Sequence, residues 1–98
     1  MSISLGVGNK VQEITLSLEP GFYEKEVPTD MEVLDIGIKD KELVLFVTTK
    51  FADGNVQKKT FLVHPSKVKL PEQKGKFAVY YYYLGTIPKL GLHVFEIV

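Results

Sequence analysis

Leu43-Val44-Leu45-Phe46-Val47 is apolar at five successive positions. Neighbouring residues of a strand face opposite ways, so an unbroken apolar run describes a strand covered on both sides. The β-branched and aromatic content and the short length favour strand over helix. We read this run as the central core strand, with Leu45 and either Phe46 or Val47 fully buried. Just beyond it, Ala52-Asp53-Gly54-Asn55 supplies residues that tolerate positive φ, and strand character resumes over 56–63. The segments 43–50 and 56–63 are therefore expected to pair as a tight hairpin.

Farther out the dominant period is again two. Ile14, Leu16 and Leu18 alternate with Thr15 and Ser17, and Glu19-Pro20-Gly21 turns the chain into a short strand over 22–27. Pro28 cannot donate to a ladder and suits an edge or a strand end. Over 31–38 the pattern places Leu34, Ile36 and Ile38 on one face opposite Asp35, with Gly37 marking a bulge. Lys39-Asp40-Lys41 is the polar connection that follows. Residues 64–76 carry Pro65, Pro71 and Gly75 and read as the longest loop, with room for one short helical turn. Residues 77–84 and 92–98 complete about seven strands, joined by a connection over 85–91 that contains Pro88.

No segment carries a sustained helical stripe. An all-β fold follows, a small antiparallel β-sandwich or partly open barrel, since either buries two sheet faces. At 98 residues the chain has room for one core, so 1–98 is expected to be a single domain with a flexible segment over 1–10. With 45% hydrophobic and 24% charged residues it lies far from the composition of disordered chains. The absence of cysteine removes disulfides and thiolate metal sites, leaving packing or self-association to stabilise a small domain. No stretch has the form of a signal peptide or reaches the ~20 apolar residues that span a bilayer, so no membrane association is expected.

The net charge is zero, yet residues 1–42 hold nine acidic residues against four lysines, and residues 57–76 hold six lysines against Glu72 alone. Such halves attract, as neighbouring strands of one domain, head to tail between copies, or with the basic loop aimed at an acidic partner. All twelve basic residues are lysine, so the planar fork that reads guanine edges is missing and sequence-specific DNA recognition is disfavoured.

Catalytic chemistry finds few candidates. His64 precedes Pro65, and His93 lies in the last strand three residues before Glu96, a spacing that sends the latter two to opposite faces and argues against a shared metal. Gly6-Val7-Gly8-Asn9-Lys10 lacks the ending and the following helix of a phosphate loop. Ser2, Ser4, Ser17 and Ser66 show no elbow motif. The chain is expected not to be an enzyme and to need no cofactor. The most unusual feature is Tyr80-Tyr81-Tyr82-Tyr83, because alternation gives each face two phenols. They fit a broad central strand with its tips at the sheet margin, or an interface or ligand-stacking role.

The C-terminal residues Tyr83-Leu84-Gly85-Thr86 and His93-Val94-Phe95-Glu96 carry a resemblance, supported upstream by Val27-Pro28, Val33-Leu34 and the run 43–47. Together they resemble a family of small bacteriophage-encoded proteins of unknown function, over roughly residues 23–96. The family has tryptophan where Phe46 stands, and a Thr-Gly-His-Pro turn of which His64-Pro65 remains here. The resemblance implies a phage origin, a β fold and a place in the cytoplasm of the infected host.

The expected role is a non-enzymatic binder that inhibits a host protein or sequesters a small ligand. Alternatives are a structural, self-assembling phage protein and a single-stranded nucleic-acid binder in which tyrosines stack on bases. The basic loop empties into the tyrosine strand, so Lys67, Lys69, Lys74 and Lys76 with Tyr80, Tyr81, Tyr82 and Tyr83 form the candidate binding surface. Homo-oligomerisation is expected as well.

Overall fold

The computed structural model of the chain describes residues 10–49, 55–71 and 80–98. They form seven strands, β1 (Gln12–Leu16), β2 (Gly21–Pro28), β3 (Met31–Lys39), β4 (Glu42–Thr49), β5 (Val56–Pro65), β6 (Tyr81–Ile87) and β7 (Leu92–Ile97), with one 3₁₀ turn at Pro88–Leu90. Two antiparallel sheets pack as a sandwich. Sheet A has the order β1-β4-β3 and sheet B the order β2-β5-β7-β6. Among the described residues no helix is long and apolar enough to cross a membrane.

β4 is the centre of sheet A, as its apolar run requires. Leu43, Leu45 and Val47 are fully buried between the sheets, while Val44 and Thr48 are buried on the outer face. Lys39 on β3 reaches across that outer face to Glu13 on β1, 2.9 Å away. The hydrogen bond from Glu13, then its charge, raises the Lys39 pKa above its ordinary value. From sheet B, Val27, Phe61, Val63, Ile87, Leu92 and Val94 complete the core.

The expected hairpin of 43–50 with 56–63 does not form. β4 pairs with β1 on one edge and β3 on the other, which leaves it no edge for β5, and β5 instead pairs with β2 and β7 in the second sheet. Residues 50–54, which carry most of the expected turn, lie outside the described residues. Thr29 N–H donates to Asn55 O at 3.0 Å, tying the start of β5 to the end of β2. The true hairpins are β3-β4 and β6-β7. In the first, Asp40 and Lys41 both have positive φ, the backbone of a two-residue turn matched to strand twist.

Three further expectations change. The bulge in β3 falls at Leu34 rather than Gly37, since Val33 pairs with Val47 and Asp35 with Phe46. Leu34 thereby leaves the expected face: Met31 and Val33 before the bulge and Ile36 after it pack on the core, and Ile38, on the same face as Ile36, is exposed toward the end of the strand. The tyrosine strand is an edge, not a centre, and β6 runs to Ile87, absorbing the Gly85-Thr86-Ile87 expected to be a connection. The one described helical turn stands at Pro88–Leu90, where Pro88 opens it and Gly91, at φ 60°, closes it, and not in the described part of the 65–76 loop.

Candidate binding face on sheet B

Register and alternation set the outer face of sheet B. Phe22, Leu62, Phe95 and Tyr83 are consecutive cross-strand partners and form one apolar row across all four strands. His64, His93 and Thr86 form the next row across β5, β7 and β6. Leu62 is buried beneath its larger neighbours, whereas Phe22 is 50% and Tyr83 54% exposed at the two ends.

A bulge creates the polar part of the site. Tyr83 pairs with Phe95 but Gly85 with Val94, so Leu84 is the extra residue of β6. Residues three apart normally face opposite ways; the extra residue puts both Tyr83 and Thr86 on the outer face. The Tyr83 hydroxyl hydrogen-bonds Thr86 Oγ1. Thr86 Oγ1 lies 2.8 Å from His93 Nδ1, and His93 Nε2 lies 2.7 Å from Ser66 Oγ. Four side chains from three elements are thus joined in one chain of hydrogen bonds, in which a neutral imidazole donates at one nitrogen and accepts at the other. The Tyr83 ring is further fixed by Phe95 at a centroid distance of 5.7 Å and His93 at 6.4 Å.

The segment after β5 crosses this face, because β6 lies two strands away with β7 between. His64 Nε2 donates to Val68 O at 2.8 Å, and the Tyr81 hydroxyl donates to Pro71 O at 2.7 Å. Those two bonds pin the strap at β5 and at β6, and Tyr81 also meets Phe95 edge to face at 5.9 Å. Lys67, at φ 66°, and Lys69 lie exposed on the strap.

Of the sequence candidates, the structure brings Tyr81, Tyr83, Lys67 and Lys69 to this face. Tyr82 pairs with Glu96 and faces the other way, 63% exposed, and Tyr80 precedes the strand at 70% exposure. Lys74 and Lys76 lie outside the described residues. Phe22, His93, Thr86 and Ser66 were not among the candidates. Phe22 could have been found from its alternation with Glu24 and Glu26, but the bulge that recruits Thr86 has no local signature beyond Gly85. His93 and Glu96 do face opposite sides of sheet B, and Glu96 instead pairs with Lys59 inside the sandwich.

The Ser66–His93 pair has the separation of a nucleophile and its base. A hydroxyl, not a carboxylate, holds the other imidazole nitrogen, and the Ser66 N–H donates to Gly91 O at 2.7 Å rather than pointing at a reacting oxygen. The network orients side chains and fixes the Tyr83 ring. No protein-family model, curated protein or solved structure matches this chain.

Proposed function

We propose that the protein is a non-enzymatic binding module, phage-encoded as the resemblance implies, that docks a host protein in the infected cytoplasm through the outer face of sheet B. The observation that carries this reading is the fixed, half-exposed Tyr83. A tyrosine already held by hydrogen bonds and ring contacts has little rotamer freedom left to lose on binding. It stands at one end of a row whose other end is the exposed Phe22, and exposed aromatic anchors of this kind dominate interface energetics. Lys67 lies exposed on the strap that crosses this face and suits an acidic rim on the partner.

The test compares the wild-type chain with Tyr83→Ala and Phe22→Ser as bait in host lysate, followed by titration of the purified captured protein. A partner bound by wild type and weakened at least about tenfold by either substitution supports the reading. Equal binding by all three chains overturns it.

A further inference from the structure

The other edge of the sandwich holds a cleft that the Tyr83 face does not use. β1 ends in sheet A at Leu16 and β2 begins in sheet B at Gly21, so residues 17–20 carry the chain from one sheet to the other and the two strand edges part. The opening has a volume of about 440 Å³, within the range of small-molecule sites. Its apolar wall is Leu18 with the Tyr23 ring, both packed against the core. The Tyr23 hydroxyl donates to Glu19 O and so holds the ring in place.

The charges at this cleft are uneven. Lys25 alternates with Glu24 and Glu26 and therefore projects to the inner side of β2, directly across the ladder from Lys59. Lys59 is taken by Glu96, so that carboxylate does not neutralise Lys25. Lys41 reaches the same cleft from the β3-β4 turn, where its positive φ sets it out from the strands. Neither Lys25 nor Lys41 makes an ion pair among the described residues. Glu42 is the single carboxylate in the lining, set against two ammonium groups.

We propose that this cleft binds a small amphipathic anion, its apolar body against Leu18 and Tyr23 and its carboxylate or phosphate head between Lys25 and Lys41. An apolar wall beside two cations without ion pairs among the described residues is complementary to that ligand class, whereas a neutral apolar molecule would gain contact with the wall alone. The site is independent of the Tyr83 face and stands or falls separately from it.

The probe is octanoate, with 1-octanol as its uncharged counterpart, titrated into the isotopically labelled full chain. Saturable methyl shifts at Leu16 and Leu18 are expected, with octanol bound more weakly. Lys25→Ser combined with Lys41→Ser should weaken octanoate by about tenfold, and added salt should weaken it in the wild type. Glu42→Gln, which removes the opposing charge without touching either lysine, should tighten it, a gain that misfolding cannot mimic. Octanol binding as well as octanoate, shifts centred elsewhere, or an affinity unchanged by all three substitutions would overturn the proposal.

Discussion

Gly85 sits where β6 passes over β3, and a Cβ built there would lie 2.7 Å from Ile36 Cδ1 and 3.0 Å from Ile36 Cγ1. Any larger residue there has to push the end of the Ile36 side chain aside. Gly85→Ala is expected to destabilise the fold by about 1–3 kcal/mol through overpacking. Trimming the opposing side chain with Ile36→Val should recover part of that loss, and chemical denaturation of the two single variants and the double measures the coupling. At the centre of sheet A the opposite error applies. Leu45 is fully buried, so Leu45→Ala should cost about 2–5 kcal/mol in the same measurement. Ser66 is open to a chemical test. With a hydroxyl rather than a carboxylate behind His93, a fluorophosphonate probe is expected to leave Ser66 unlabelled, and mass spectrometry showing stoichiometric labelling would argue for an enzyme.

Along β5 and β7 the inner face carries an ion pair as well as apolar residues, since Lys59 and Glu96 meet inside the sandwich with side chains only 27% and 12% exposed. Glu96→Ala should cost about 1–3 kcal/mol, because it strands a partly buried Lys59 facing Lys25. Replacing both partners with apolar residues, as Lys59→Met with Glu96→Leu, should cost less than that single change. Element identity was largely legible in the sequence for a physical reason: period-two alternation and the apolar run at 43–47 are local properties. Which strands pair was not. The Asp53-Gly54-Asn55 chemistry is equally compatible with a hairpin and with a change of sheet, and only the occupation of both β4 edges by β1 and β3 decides between them. The same limit hid the site. Tyr81 and Tyr83 announce themselves by composition, but Thr86 and Ser66 join them through a one-residue bulge and a strap, which depend on tertiary register.

Across the whole molecule the two oppositely charged stretches meet within a single chain. β2 runs antiparallel to β5 over its full length, Glu26 is the register partner of Lys58, and Lys58 Nζ lies 3.8 Å from Glu24. Part of the attraction between the acidic and basic halves is thus answered inside sheet B, which weakens the electrostatic motive for head-to-tail contact between copies. The apolar motive is left, since Phe22 and Tyr83 stand half exposed on one face. We therefore expect self-association through the outer face of sheet B that is indifferent to salt, because apolar contacts are not screened. Light scattering at tens of micromolar should give a mass above one chain that holds from low to high ionic strength and falls to one chain in Tyr83→Ser combined with Phe22→Ser. A mass that falls as salt rises would return the interaction to charge between copies, with Lys67 and the acidic β2-β3 segment as the first surfaces to examine. A single-chain mass under every condition would leave the aromatic face free for a partner of a different kind. The lysate capture would then be read without competition from self-assembly.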